Sequence, residues 1–232
     1  VGLDRLGLIK TTLLDYPGRV AAVLFTHGCD LRCPWCHNPG LVHGPVPADF
    51  WPRREVLDFL RKRKGVLGGV AVTGGEPLYH QDLPLLLEEI RALGLDLKLD
   101  TNGTYPQRLA DLELGLVDFV AMDVKGAPSR YDLQGIPGMG PRIVESVRLV
   151  QDRYPRRQFR TTWVPGLNVL EEVPEMAALL GPGEELTLTG FRAGVTLDPK
   201  WATRRSATAE ELAQVAGAFR RHGIAASVAP SG

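Results

Sequence analysis

The chain has 232 residues, enough for one large domain with a sizeable core, so the expected domain covers 1–232 with a short N-terminal extension over 1–19. Its 27 lysines and arginines are matched by 27 aspartates and glutamates, and a neutral chain offers no field for a polyanion; neither nucleic acid nor a membrane surface is expected as a partner. No apolar run approaches the length of a membrane span and no basic-then-apolar leader opens the sequence, which makes the cytoplasm the expected location.

In chain order, short β-branched or apolar runs recur: AAVLF around Val23, GVAVT before Gly74, LDLKLD before Thr101, VDFVAMDV before Lys125, RTTWV before Pro165 and ELTLT before Gly190. Each has the length and composition of a strand, six in all. Amphipathic stretches of helical period lie among them, at Arg53 to Arg63, Leu83 to Leu93, Gln107 to Leu114, Arg142 to Asp152, Val173 to Leu180 and Ala209 to His222. The last follows a capping box, with Thr208 and Glu211 placed to satisfy backbone donors at the helix start. Alternating strand and helix predicts an α/β fold with a mainly parallel sheet. Six units are too few for a closed eight-stranded barrel, leaving an open barrel or a doubly wound sheet. GIPGMGP, Gly135 to Pro141, reads as a flexible loop without phosphate-loop spacing.

Parallel α/β folds work at the carboxyl ends of their strands. Here those ends deliver His27 to Cys36, Thr73 to Glu76, Asp100 to Gly103, Asp123 to Lys125, Arg160 to Gly166 and Thr189 to Arg192. The first stretch holds every cysteine of the chain, Cys29, Cys33 and Cys36, spaced C-x3-C-x2-C. An odd number in one short loop fits no closed disulfide framework and points to a reducing compartment and to metal or redox chemistry. One reading is a structural zinc site with His37 or His27 as fourth ligand, although such sites usually join two ligand clusters and no second pair exists here. The other is a four-iron cluster held through three irons, its fourth open to a small ligand.

The ordered motifs CxxxCxWC, GGE, DTNG and DVK resemble those of the radical S-adenosylmethionine superfamily. More narrowly, DYPG (Asp15 to Gly18), FTHGC, CPWCHN, VTGGEP, MDVK and GFRAGVTLDP resemble the activating enzymes of glycyl-radical enzymes, above all those serving anaerobic ribonucleoside-triphosphate reductase. The likeness runs from about Leu8 to the carboxyl terminus. It implies an open (βα)6 partial TIM barrel, a [4Fe-4S] cluster on Cys29, Cys33 and Cys36, and S-adenosylmethionine chelating the unique iron. It also implies a 5'-deoxyadenosyl radical that takes hydrogen from a glycine of a partner enzyme, with reduced flavodoxin or ferredoxin as electron donor.

Site residues follow from the same resemblance. Gly74 and Gly75 would admit a ligand to the backbone and Glu76 would accept from its amino group; by themselves they also read as a strand-end turn. Trp35 would stand beside the adenine, or be a core aromatic. Asp100, Thr101 and Asp123 would hold a monovalent cation beside the methionyl carboxylate, with Lys125 reaching that carboxylate; turn bonding and an Asp123–Lys125 ion pair are the plain alternatives. Asn38, Asn102 and Arg160 complete the cofactor set, Arg160 serving equally as an edge salt bridge. His37 is a candidate to tune the cluster from outside its ligand set, while His27, His43, His80 and His222 read as structural or exposed. RKRK, Arg61 to Lys64, reads as a solvated helix end with electron-donor docking as a secondary role. The rival functions are a pyruvate formate-lyase-type activase, a small-molecule radical enzyme such as a deazaguanine-forming synthase, and a non-catalytic zinc module.

Overall fold

A computed structural model describes residues 2–134 and 138–229. In chain order it contains β1 (Arg5–Thr12), β2 (Ala21–Thr26), α1 (Pro39–Val42), β3 (Trp51–Pro52), α2 (Arg53–Arg63), β4 (Gly69–Gly74), α3 (Leu83–Arg91) and β5 (Asp96–Thr101). There follow α4 (Pro106–Asp111), β6 (Phe119–Asp123), α5 (Gly140–Arg153), β7 (Arg157–Trp163), α6 (Val173–Leu180), β8 (Glu185–Gly190), α7 (Ala209–Arg221) and β9 (Ala225–Val228). Residues 135–137 of the expected glycine-rich loop lie outside the described residues, and Gly140 and Pro141 open α5 instead of extending the loop.

The strands form one sheet in the order β3-β1-β2-β4-β5-β6-β7-β8-β9, with β3 and β9 at its two ends, so the α/β barrel is open. From β2 through β9 every neighbouring pair is parallel, while β1 runs antiparallel to both β2 and β3. The six expected strands are the contiguous block β2, β4, β5, β6, β7 and β8, and three more strands flank it. β3 has only two residues, β9 reads AASV, and β1 mixes charges into its alternation inside the supposed extension, so none carried a buried run that sequence could reveal.

Strand alternation sorts the side chains into two layers. On β5, Leu97 and Leu99 enter the large core shared with the helices, while Lys98 and Asp100 take the opposite face. The helices bury apolar stripes against the outer layer, as Leu83, Leu86, Leu87 and Ile90 of α3 do. α7 begins as its sequence predicts: Thr208 Oγ1 accepts from Glu211 N at 3.2 Å and Glu211 Oε2 accepts from Thr208 N at 2.8 Å. Inside, a small cluster of Tyr16, Ala21, Phe119 and Ala121 closes the end of the barrel where the strands begin. Tyr16, the aromatic residue of DYPG, is fully buried there, edge-on to Phe119 at 6.2 Å between ring centres. No helix among the described residues is long and apolar enough to cross a membrane.

Candidate active site

The cysteine loop leaves β2 through Thr26, His27 and Gly28, and backbone bonds fold it back on itself. Gly28 N donates to Leu41 O at 2.8 Å, Cys29 N to Val42 O at 3.1 Å and Cys36 N to Cys33 O at 3.0 Å. Asn102 adds a side-chain tether, its Nδ2 lying 3.7 Å from Cys29 Sγ and 3.2 Å from Asp30 Oδ1. A second apolar cluster covers the loop: Leu31, Cys33 and Trp35 pack with Val164, Phe191 and Trp201. Trp35 meets Trp201 at 5.6 Å between ring centres, so it is a packed aromatic and a cavity wall together. The cover is pinned by Asp198 N donating to Pro34 O at 3.0 Å. His37, the imidazole weighed as a fourth metal ligand, stacks on Phe191 and bonds Arg192 O at 2.8 Å.

One cavity of about 220 Å³ opens at the strand ends. It is lined by Cys29, Cys33 and Cys36, by Trp35 and Asn38, by Gly74, Gly75 and Glu76, by Asp100, Thr101 and Asn102, and by Asp123, Lys125 and Arg160. Every site residue named from sequence faces this space. The wall also contains Leu31, His37, Val42, Thr73 and Thr162; of these only His37 has a role assigned from sequence, while Leu31, Thr73 and Thr162 fall in the polar strand-end stretches and Val42 does not. Among the described residues no three His, Cys, Asp or Glu side chains are grouped as a single-ion site. The donor set of three thiols in one loop, with no second ligand pair, suits a larger cluster better than one tetrahedral zinc.

Burial governs the thiols. It pushes Cys29 up to about 12, with Glu76 and Asp30 adding to the shift, and it raises Cys33 despite the opposing charge of Lys125. Thiolates here need a bound cationic partner to draw off their protons.

Gly74 and Gly75 line the cavity and also meet a need within the chain itself. A Cβ on Gly75 would stand 2.1 Å from Gly28 O, and one on Gly74 2.3 Å from Thr26 N. The close approach is therefore between two strand ends of this chain, sealed by Gly75 N donating to Thr26 O at 3.0 Å and Glu76 N to Gly28 O at 2.8 Å. Glu76 is fully buried and accepts from Thr101 Oγ1 at 2.8 Å, Asn102 N at 2.7 Å and Leu78 N at 3.0 Å. Burial pushes its carboxyl up to about 8 although all three donors pull the other way.

On the opposite wall, charges alternate in sign. Lys98 pairs with Asp100 Oδ1, Arg160 Nη1 with Asp100 Oδ2 at 2.9 Å, Arg160 Nε with Asp123 Oδ1 at 2.9 Å, and Lys125 Nζ with Asp123 Oδ2 at 3.4 Å. Burial opposes the charge on Asp123, Arg160 and Lys125, but their partners win: Asp123 is held below the usual carboxylate range, while Arg160 and Lys125 are raised. The monovalent cation expected at Asp100, Thr101 and Asp123 does not fit this arrangement. All four carboxylate oxygens already face side-chain cations, and the Thr101 hydroxyl donates to Glu76.

Two residues that sequence missed hold Lys125 in place. Its N–H donates to Tyr131 Oη at 2.8 Å and its carbonyl accepts from Asn168 Nδ2 at 3.0 Å. Neither carries a motif that would single it out. RKRK ends α2 near the start of β4, whereas the cysteine loop follows the far end of the neighbouring β2, about 17 Å away along six paired residues. That position removes it from donor docking at the cysteines.

Comparisons with known proteins agree with this picture. The Radical SAM superfamily profile matches residues 23–180. A protein of Methanocaldococcus jannaschii named as a glycyl-radical enzyme activating enzyme is 28% identical over 182 residues, covering 74% of this chain and 72% of its own. A 7-carboxy-7-deazaguanine synthase of Thermococcus kodakarensis is 29% identical over 147 residues, covering 54% of this chain and 56% of its own. In fold, the crystal structure of Streptococcus suis SuiB bound to S-adenosylmethionine superposes with a TM-score of 0.65 at 13% identity, over 90% of this chain and 52% of that one. The chain thus spans about half the length of the last two.

Proposed function

The chain belongs to the radical SAM superfamily, and from that premise we propose that it activates a glycyl-radical enzyme, with anaerobic ribonucleoside-triphosphate reductase as the partner. It is an enzyme that uses a [4Fe-4S] cluster and S-adenosylmethionine. The observation that carries the proposal is the convergence, in one cavity, of three clustered thiols, one buried carboxyl and a wall of alternating charges that includes Lys125 and Arg160. When bound, the cluster and its ligand supply, at the cost of one donated electron, methionine and a 5'-deoxyadenosyl radical that takes the partner glycine's hydrogen atom.

In this reading Cys29, Cys33 and Cys36 hold three irons, and Asn102 positions Cys29. Glu76 receives the ligand's ammonium group, while Lys125 and Arg160 face its carboxylate from the other wall. Trp35, Asn38, Gly74 and Gly75 enclose the remainder. The Trp35, Phe191 and Trp201 cover keeps water from the cysteine loop. Beside the main cavity a second hollow shares His37 and Thr162 with it and continues past Gly190, Ala193 and the exposed Val195. Gly190 and Ala193 leave room along one side for an extended backbone, with His37 and Arg192 also on the lining, and we assign this groove to the partner's glycine loop.

The second reading, a deazaguanine-forming synthase, is favoured by the Thermococcus kodakarensis relative, but its match spans less of this chain than the activating-enzyme match. One experiment separates the possibilities. Reduced protein, S-adenosylmethionine and the candidate reductase are mixed under anoxia and examined by electron paramagnetic resonance. A glycyl-radical doublet that vanishes when the reductase glycine becomes alanine supports the assignment. A doublet arising only with a pyruvate formate-lyase-like partner would move the activity to the sister activase, and cofactor cleavage with neither would favour a small-molecule substrate.

A further inference from the structure

Lys98 is a charged residue that the proposed chemistry leaves unused. Its side chain is 4% exposed, and it projects from β5 on the same face as Asp100, two residues and about 6.6 Å deeper along the strand. It therefore lies beneath the cavity floor. A lysine so placed must be compensated, and its ammonium pairs with Asp100 Oδ1.

Its effect reaches the cavity through one chain of contacts. Asp100, with one oxygen on Lys98, offers the other to Arg160 Nη1 at 2.9 Å; Arg160 Nε in turn holds Asp123 at 2.9 Å. Lys98 supplies one positive charge and hydrogen-bond donors beside Asp100, within the oxygen set where a monovalent metal ion was expected. Thr101, the third expected ligand, follows Asp100 on the other face of the strand and is committed to Glu76.

We propose that Lys98 is a built-in monovalent cation. Its tethered ammonium takes the place of a sodium or potassium ion beside Asp100, while Arg160 bridges Asp100 to Asp123, so the wall formed by Arg160 and Lys125 is charged and positioned to receive a carboxylate without any alkali metal. A tethered charge is present at every salt composition, whereas a bound ion contributes only in proportion to its occupancy. The affinity part of this inference rests on reading the cavity as the S-adenosylmethionine site; the stability part does not.

The test uses the reconstituted full chain under anoxia in sodium, potassium or tetramethylammonium chloride at equal ionic strength. Thermal midpoints are measured without S-adenosylmethionine, and its affinity by calorimetry. Wild type should have one midpoint in all three salts and dissociation constants within about twofold of each other. Lys98→Ala, which opens room for an ion, should melt higher in sodium or potassium than in tetramethylammonium and bind S-adenosylmethionine about tenfold more tightly there. Lys98→Met, which fills the room without charge, should be weakened in every salt and rescued by none. An alkali-metal requirement in wild type, or equal behaviour of Lys98→Ala in all salts, would overturn the proposal. Should Lys98→Ala fail to fold in every salt, Lys98→Ser takes its place: rescue by sodium or potassium supports the proposal and equal behaviour in all salts overturns it. If wild type binds no S-adenosylmethionine in any salt, the cofactor reading fails, and the ligand-free midpoints still decide the role of Lys98.

Discussion

Glu76 combines two opposing influences in one side chain: complete burial, which favours its neutral form, and three donors that favour the carboxylate. With its carboxyl pushed up to about 8, the native protein keeps a proton that the unfolded chain releases near the ordinary value of 4.5. Stability of the ligand-free protein should therefore fall as pH rises from about 4.5 to 8 and level off above, with a slope of up to about 1.4 kcal/mol per unit from this group. Glu76→Gln should remove that slope in melting curves, while a wild-type curve flat across the interval would refute the buried neutral carboxyl. The same variant should weaken S-adenosylmethionine binding by about 1.5–3 kcal/mol in calorimetry, the usual value of a charge-assisted bond. At the thiols the expected outcome is simpler. Replacing any one of Cys29, Cys33 or Cys36 with alanine should reduce anaerobically reconstituted iron from about four per chain to near zero, because two thiolates cannot retain a site-differentiated cluster.

At the scale of elements, the turn after β4 and the exit of β2 are built as one joint. Gly75→Ala would drive a methyl group into Gly28 O, so the backbone that launches the cysteine loop must move. Such a clash typically costs about 1–3 kcal/mol, and the expected result is a lower melting temperature together with incomplete iron incorporation. A variant of normal stability and full iron content would show that the joint yields easily. DYPG serves the other end of the barrel. Tyr16 fills the lumen against Phe119, and its hydroxyl is 3.4 Å from Leu97 O, a marginal bond. Tyr16→Ala should destabilise by about 3–5 kcal/mol in denaturant unfolding, whereas Tyr16→Phe should cost little. A motif that first suggested kinship with activating enzymes thus has a packing role in the fold.

Across the whole molecule the balanced charge is unevenly spread. The segment 190–206, which covers the cysteine loop, carries Arg192, Lys200, Arg204 and Arg205 against Asp198 alone, four basic residues to one acidic. Arg204 lies 3.9 Å over the Trp201 ring, and Trp201 packs on Trp35 between the second and third cysteines. On the proposed function, which needs an electron donor, we infer that this basic cover and not RKRK at the far end of the barrel receives an acidic donor such as flavodoxin or ferredoxin. Reversing Lys200 and Arg204 to glutamate should slow reduction by such a donor about tenfold at low salt, with the difference shrinking as salt rises. Stopped-flow reduction measures this, and a small uncharged reductant should not distinguish the variant from wild type.

The sequence by itself determined the parts of this protein that depend on local order: six strands of the parallel block, the helices between them, the capping of α7, and a cysteine loop with polar motifs at successive strand ends. Parallel topology carries those ends to one face, so residues distant in sequence are assigned to one region by the strand pattern alone. The tertiary structure alone decided which groups meet. Lys98 reads as an ordinary polar interruption of LDLKLD until strand register sets Asp100, Asp123 and Arg160 around one lumen. Gly74 and Gly75 read as ligand-admitting or as a strand-end turn, and only the fold sets the backbone of Thr26 to Gly28 against them as well. Flanking strands β1, β3 and β9 likewise become visible only when paired. In each case the controlling interaction joins segments remote in sequence, and its distance is a property of packing that periodicity and composition do not encode.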